Sequence, residues 1–595
     1  MRPTNIQEPE YFHKVVDCQH ACPAHTPVPE YIRLIAAERY AEAYMINWES
    51  NVFPGILGRT CDRPCEPACR RGRVEEKPVA ICRLKRVAAD NKGDVKQYMP
   101  KGPFKPNGKK IALIGGGPAS LTVARDLAPL GYEIHLYDEW YKGGGMMRTQ
   151  IPSFRLPEEV LDEEVGYVIG LGIHTHFKHR VESMKEEILA KGYDAVFVGT
   201  GAPKGRDLKL PGREEAGKNV HIGVEFLANV AFEHIHKIGK KVIVLGGGNT
   251  AMDCCRTSRR IGGEDVKVIV RSPFKDMKAS PWEIEDAQAE DIPILNNMPP
   301  KEYVIKDGKL AGMIFGKVRA EYDENGKRKL IPTGEPDEFV EADDVIIAIG
   351  QDNYFPWIER DLGIEFGKWD MPVLHKTTYQ STNPKVFFGG DAAFGPANII
   401  TAAAHGHQAA VSIHLFLQGK DVLADRPAPK TNLLRQKMGI HEWMYDNDVA
   451  PDKRYKVAHT DKRKALKNRK VEVELGFTTE EAFKEAERCL NCDVQTVFNT
   501  SRCIECDACV DICPTSCITF TTNGDEADLR TRLSAPALNT SQDLYVSDLL
   551  PATKRVMVKD EDVCLHCGLC AERCPTAAWD MQKYLYSVTK AGAVL

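Results

Sequence analysis

Sixteen of the nineteen cysteines in this 595-residue chain stand at spacings that suit metal ligation. The run Cys503-x2-Cys506-x2-Cys509-x3-Cys513-Pro514 is followed by a second of the same form, Cys564-x2-Cys567-x2-Cys570-x3-Cys574-Pro575. Each short loop can turn three thiolates onto one [4Fe-4S] cubane, and the fourth cysteine of each run reaches the other cubane. The expected sets are Cys503, Cys506, Cys509 and Cys574 for one cluster, and Cys564, Cys567, Cys570 and Cys513 for the other. Zinc is the alternative for any isolated CxxC pair. Two complete runs favour iron–sulfur centres, which move single electrons. A looser set follows the same chemistry: Cys18-x3-Cys22-Pro23, Cys61-x3-Cys65-x3-Cys69, Cys82 and, far downstream, Cys489-x2-Cys492. Cys254 and Cys255 read as packing residues, and Cys517 and His566 as bystanders.

Glycine-rich turns supply the second kind of chemistry. Lys110 to Leu113 reads as a buried strand entering Gly115-Gly116-Gly117-Pro118-Ala119-Ser120, then a helix, then a strand ending at Asp138. That order is a dinucleotide site. Gly115 permits the tight turn, and Gly117 lets a pyrophosphate approach the helix N-terminus. Asp138 sits where a carboxylate takes ribose hydroxyls. Ser120 replaces the third glycine. The device recurs from Lys241 into Gly246-Gly247-Gly248-Asn249-Thr250-Ala251-Met252-Asp253, with the next strand ending in Arg271. An arginine there pairs with a 2′-phosphate, so NADP(H) is favoured over NAD(H). Arg256, Arg259, Arg260 and Lys275 are further positive charges nearby, or a solvated face. A third signal joins Asp344 to Gly350 with Val386 to Asp391, Gly395-Pro396 and a small-residue helix from Ile399. We read it as the second half of the first fold, a flavin site in which Gly390 and Asp391 meet the ribityl chain. The helix N-terminus would then stabilise charge on the reduced ring. An ordinary additional βαβ unit is the alternative.

These segments resemble the glutamate synthase small-subunit family of flavoproteins. That family includes the large subunit of the bifurcating NADH-dependent ferredoxin:NADP oxidoreductase and the N-terminal half of dihydropyrimidine dehydrogenase. The resemblance extends over roughly residues 15 to 495. Its markers are Gly144-Gly145-Met146-Met147-Arg148, Ile151-Pro152-Ser153-Phe154-Arg155-Leu156-Pro157 and Gly199-Thr200-Gly201-Ala202, together with both glycine turns and Gly389-Gly390-Asp391. It implies FAD in an outer domain and NAD(P)H in an inserted one. Gly145, Met146, Arg148, Arg155, Thr200 and Gly201 would belong to the flavin side. The family often places two arginines after the second nucleotide strand; here the second is Ser272. The resemblance further implies two [4Fe-4S] clusters in the N-terminal region. One would take Cys489, Cys492, Cys18 and Cys69, and the other Cys22, Cys61, Cys65 and a fourth ligand. Relatives use Gln or Glu near Lys85, whose protonated amine ligates poorly; Cys82, one turn earlier on the same helix face, is the better donor. With the C-terminal runs this makes four clusters.

The elements needed to position these groups form a multidomain α+β and α/β chain. We expect a helical iron–sulfur domain at 1–100, a Rossmann-like FAD domain at 109–240 and 342–450, and an inserted Rossmann-like NAD(P) domain at 241–341. A connector at 451–495 returns its CxxC to the N-terminal domain, and a bacterial-type two-cluster ferredoxin fold fills 496–595. The polar stretch 521–555 is an insertion suited to a partner contact. Net charge is −5, which gives no general pull to nucleic acid or membrane. The basic stretch at 462–470 lacks interleaved aromatics and reads as a solvated or docking face. We expect no secretory signal and no membrane-spanning run, and the ligand-spaced thiols lead us to expect a reducing, cytoplasmic setting. The expected function is a ferredoxin–NAD(P) reductase-type flavoenzyme subunit: hydride exchange between NAD(P)(H) and FAD, then single electrons through the clusters to or from a partner subunit or ferredoxin. A 2-oxoacid:ferredoxin oxidoreductase-type complex is the first expectation for the partner. The alternatives are a glutamate-synthase-like or bifurcating transhydrogenase subunit, and a non-enzymatic electron-carrier scaffold.

Overall fold

The apolar runs KIALI at Lys110–Ile114 and KVIVL at Lys241–Leu245 each found a parallel sheet, because strands covered on both faces need apolar side chains at successive positions. The computed structural model describes residues 2–5, 16–75, 77–435, 452–522 and 526–592. It divides into two compact units: Pro100–Asp425 with Ala458–Leu475, and Met1–Met99 with Arg426–Val457 and Gly476–Leu595. The expected domain limits at 436–450 and 451 fall outside the described residues. So do 6–15 and 76 of the N-terminal region and 523–525 and 593–595 of the C-terminal module.

The first parallel sheet has the order Val386–Phe388, Ala195–Val198, Lys110–Ile114, Glu133–Asp138, His174–Phe177. The second has the order Val220–Ile222, Asp344–Ile347, Lys241–Leu245, Asp265–Ile269, Ile294–Leu295. Asp344–Ile347 therefore belongs to the second sheet, in register with Val242–Leu245, and Gly350 follows it there. The sequence reading had assigned this strand and glycine to the first fold. Only Val386–Phe388 of that signal joins the first sheet. A fully buried strand looks alike in either sheet, so its composition does not select its neighbour. A small antiparallel sheet, Pro300–Lys306, Lys309–Phe315 and Glu338–Glu341, completes this unit's second lobe.

In the other unit, helix Val28–Ala36 buries Val28, Tyr31, Ile32 and Ile35, one face at helical spacing. That face packs with Ile81, Leu84, Val87 and Ala88 of helix Ile81–Asp90. Ala482 and Ala486 of helix Thr479–Ala486 join the same core. A capping box, Thr478 with Glu481, starts that helix. Strand Trp579–Ser587 lies between Lys430–Arg435 and Val494–Phe498, antiparallel to both. The stretch 521–555 is ordered where described. Strand Tyr545–Val546 pairs with Val556–Lys559, and Leu529, Leu544 and Val546 pack on Val556 and Val558. Among the described residues no helix is long and apolar enough to cross a membrane.

Candidate redox sites

The first glycine turn is a cradle that no larger residue could form. Gly115 has φ +93°, and a Cβ there would lie 2.7 Å from the Gly199 carbonyl oxygen. A Cβ on Gly145 would lie 2.7 Å from Gly117 Cα. Helix Pro118–Leu127 starts at this turn with Pro118 in its first turn. Ser120, at the usual third glycine, is buried against Gly199, where a Cβ would come within 2.3 Å of its hydroxyl oxygen. Gly199, having no side chain, makes the room that a glycine at 120 would otherwise give. Helix Ile399–Leu417 packs on the same helix, with Gly406 allowing contact at the Ala119 carbonyl. Gly390 lies beside Ala119. Asp391 accepts from Ala397 N–H at 3.0 Å, just past Gly395 and Pro396. Met146 starts the turn Met146–Thr149 and reaches Gly201. The Thr200 hydroxyl is buried with no partner. A close-approach cradle with an orphaned hydroxyl, the buried Asp138 carboxylate and the half-buried Asp391 carboxylate fits the pyrophosphate and sugar of a dinucleotide.

Asp138 accepts from Gly116 N–H at 2.5 Å and Trp140 N–H at 2.8 Å. Burial nevertheless pushes its carboxyl up to about 6, from 3.8. Without FAD, Asp138 is expected to hold a proton below about pH 6, while ribose hydroxyls favour the ionised form. FAD binding is expected to release about one proton between pH 4 and 6, and to tighten as pH rises through that window. Calorimetry in two buffers of different ionisation enthalpy measures the release, and Asp138→Asn should abolish it.

The second cradle follows the same plan. Gly246 has φ +139°, and a Cβ there would meet the Ala348 carbonyl oxygen at 2.2 Å. Helix Asn249–Arg260 begins after Gly248, with Asn249 and Thr250 in its first turn. The Asn249 side-chain oxygen accepts from Ser280 N–H at 2.8 Å. Arg271 is exposed at the end of strand Asp265–Ile269 and has no hydrogen-bond or ion-pair partner among the described residues. Its neighbours are engaged: Arg256 and Arg260 bind Glu290, Arg259 binds the carbonyls of Gly263 and Glu264, and Lys275 sits over the Tyr322 ring.

Three expected cofactor contacts have protein partners. Arg155 Nη1 donates to both carboxylate oxygens of Asp253, at 2.7 and 2.8 Å, and its Nη2 binds Glu283. Both carboxylates are buried, so the arginine is held by their charge. Arg148 donates to the Gly143 carbonyl at 2.9 Å and to Asp162 at 2.5 Å. It secures the Gly143–Gly145 loop from behind.

The cysteines gather in four groups. Cys18, Cys69, Cys489 and Cys492 line one cavity, walled by Val28, Pro29, Ile32, Val79 and Ile81. Burial pushes the Cys18 thiol far up, and Cys69, Cys492 and Cys489 push it further. Cys22, Cys61, Cys65 and Cys82 surround the buried ammonium of Lys85, which is 5% exposed. Burial opposes that charge, yet these four thiols hold its pKa above the usual lysine value. Cys503 faces Cys574 and Cys506, and Cys509 faces Cys503 and Cys574. Cys567 faces Cys564 and Cys513, and Cys570 faces Cys564 and Cys567. The two C-terminal loops repeat one backbone path, with left-handed residues at Glu505 and Asp507 and again at His566 and Gly568. That path turns the Glu505 N–H to Cys503 Sγ at 3.3 Å and the His566 N–H to Cys564 Sγ at 3.4 Å. Thiols gathered in fours, half of them buried and several met by N–H donors, fit cubane ligation, where iron supplies the charge that makes buried thiolates tolerable.

Other polar residues of these sites escaped the sequence reading. Arg488, fully buried, donates to Glu485 at 2.5 Å, to the Lys77 carbonyl at 2.9 Å and to Glu75. It ties the Cys489–Cys492 loop to the N-terminal helices. Cys517 lies 3.5 Å from Cys513 Sγ, so it packs directly on an expected ligand. Cys254 and Cys255 are buried in the second lobe's core.

Residues 109–406 match the pyridine nucleotide-disulphide oxidoreductase family. Residues 12–97 match dihydropyrimidine dehydrogenase domain II, 4Fe-4S cluster, and residues 502–578 match the 4Fe-4S dicluster domain. The chain belongs to the pyridine nucleotide-disulphide oxidoreductases, in their glutamate synthase small-chain-like group. Among the relatives of this oxidoreductase is the NADP(+)-dependent formate dehydrogenase subunit beta of Moorella thermoacetica, 33% identical over 80% of this chain and 70% of the relative. The NADPH-Fe(3+) oxidoreductase subunit beta of Geobacter sulfurreducens is 32% identical over 82% and 77%. The glutamate synthase [NADPH] small chain of Azospirillum brasilense is 30% identical over 68% and 86%. This oxidoreductase is accordingly a pyridine-nucleotide-dependent FAD and iron–sulfur enzyme.

Proposed function

We propose that the chain is the NADPH-oxidising or NADP-reducing electron-transfer subunit of a larger oxidoreductase. FAD would lie on the first cradle, NADP(H) on the second, and four [4Fe-4S] clusters on the four thiol groups. When bound, FAD takes or gives a hydride at the nicotinamide and exchanges single electrons with the clusters. The chain's own residues bind and orient. The Gly115–Gly117 turn would hold the flavin pyrophosphate, and Asp138 and Asp391 its hydroxyls. The Gly246–Gly248 turn would hold the nicotinamide coenzyme's pyrophosphate. Sixteen thiols in four groups of four carry this reading, since such a set has no other economical use. Chemistry at the terminal substrate would belong to a partner. The named relatives include subunits from formate dehydrogenase, Fe(3+) oxidoreductase and glutamate synthase, so one reductase module serves different partners. Anaerobic NADPH titration of the holoprotein should bleach flavin and cluster absorbance together. Flavin bleaching with unchanged clusters would defeat the proposal, and copurification would identify the partner.

The 2′-phosphate reading rests on Arg271, an exposed basic side chain without a partner among the described residues, at the end of the strand that follows this turn. Arg271→Ala is expected to raise KM for NADPH on the order of tenfold, with KM for NADH little changed. Steady-state kinetics with both coenzymes checks it.

A further inference from the structure

Arg70 directly follows Cys69 and is 1% exposed. Its Nε binds Asp17, the residue before Cys18. Its Nη1 donates to the carbonyl of Cys564 at 2.6 Å, to that of Glu561 at 2.6 Å and to that of Asp562 at 3.2 Å. Arg73 adds an ion pair to Asp562 at 3.2 Å. One guanidinium is thus joined on one side to neighbours of Cys18 and Cys69, and on the other to the main chain of Cys564 itself. The thiols of Cys492 and Cys564 both act on its charge. The remaining groups extend this pair at either end. Cys65 of the Lys85 group acts on Cys18, and Cys509 of the outer group acts on Cys570. Cys506, in that outer group, is exposed.

We propose that the cluster of Cys18, Cys69, Cys489 and Cys492 and the cluster of Cys513, Cys564, Cys567 and Cys570 are direct neighbours in the electron relay of this one chain, with Arg70 as the positioning residue of their junction. The inference rests on the ligand sets proposed above. Electron tunnelling falls steeply with distance, so the junction must be fixed. A planar, permanently charged fork hydrogen-bonded to three carbonyls and a carboxylate fixes it. The same charge lies between two anionic clusters and favours the reduced state of both, because nearby charge sets cluster potentials. The Cys503, Cys506, Cys509 and Cys574 cluster is then the end of the relay open to a partner.

The test is low-temperature EPR and potentiometry on the anaerobic holoprotein, with iron content measured on the same samples. In the wild-type chain, about sixteen irons and spin–spin broadening between an N-terminal and a C-terminal cluster are expected. Arg70→Gln should lower the midpoints of the two flanking clusters and leave the Cys503-group cluster unchanged. Asp17→Asn, which removes the opposite charge, should raise the Cys18-group midpoint. A purely structural loss would not reverse sign between the two variants. About sixteen irons with magnetically isolated N-terminal clusters, or shifts of one sign in both variants, would overturn the inference and leave the ligand sets standing. A wild-type chain with markedly fewer irons overturns the ligand sets and the inference together. Should Arg70→Gln fail to fold, the wild-type coupling still decides.

Discussion

Cys82→Ala holoprotein is expected to carry about twelve irons per chain where the wild type carries about sixteen, with one [4Fe-4S] EPR signal lost. The expectation follows from where Cys82 stands. Helix Ile81–Asp90 buries almost every side chain, and Cys82 is placed in its first turn with its Sγ 3.1 Å from the Leu57 carbonyl. The Cys61 thiol hydrogen-bonds to it and is the leading cause of its lowered pKa, with Arg63, Arg83 and Lys85 adding to the effect. A thiol held toward the thiolate form beside three other cysteines is poised to ligate. Lys85, three residues on, faces the same four sulfurs, yet its charged ammonium has no lone pair to offer iron. Its place is that of counter-charge. Iron content and EPR decide the matter: a Cys82→Ala chain that keeps about sixteen irons would move the fourth ligand elsewhere. Alanine rather than serine is the informative replacement, because a serine alkoxide could still coordinate.

What the sequence disclosed about this region, and what it withheld, follows from one physical distinction. Cysteine spacing and glycine turns are legible because the chemistry restricts residue type. Only thiols ligate such clusters in number, and only glycine at 115 or 246 avoids a backbone clash at 2.7 or 2.2 Å. The strand Asp344–Ile347 was legible as a strand, but its partner was not, since buried apolar runs suit either sheet. Arg155 lies in the segment Ile151–Pro157 and Asp253 in the second glycine turn's helix, and the sequence suggests cofactor contacts for both. Their mutual ion pair spans 98 positions of sequence, which no local pattern reveals. Ser120 looked like a loosened motif until Gly199 supplied the missing space. Arg70 was hidden for a similar reason. An arginine beside a ligand cysteine reads as a surface charge, and only the surrounding carbonyls and the Asp17 carboxylate turn it into a buried one. Lys85 was legible as a poor ligand near the relatives' fourth position, but its burial among cysteines was not.

Arg488→Met is expected to destabilise its unit by about 3–5 kcal/mol and to remove the cluster that uses Cys489 and Cys492. The arginine is fully buried between Glu485, itself fully buried, and Glu75. Glu485 is in turn held by the N–H groups of Ala80, at 2.7 Å, and Tyr455, at 2.9 Å. Removing the guanidinium leaves a buried carboxylate without its counter-charge, which costs far more than the pair contributes beyond an apolar replacement. It also frees the carbonyl of Lys77, which Arg488 caps at 2.9 Å, and leaves that of Pro78 to Arg454 alone, at 3.4 Å. The loss falls where the chain returns from position 488 to the helix that carries Cys18 and the loop that carries Cys69. Arg488→Lys separates charge from shape. A lysine keeps the positive charge but cannot span Glu75, Glu485 and two carbonyls at once, so its loss should be about half that of methionine. Anaerobic denaturation midpoints give the ordering, wild type above Arg488→Lys above Arg488→Met, and iron analysis gives the cluster count. A methionine variant with wild-type midpoint and about sixteen irons would show that the downstream CxxC reaches its cluster without this clamp.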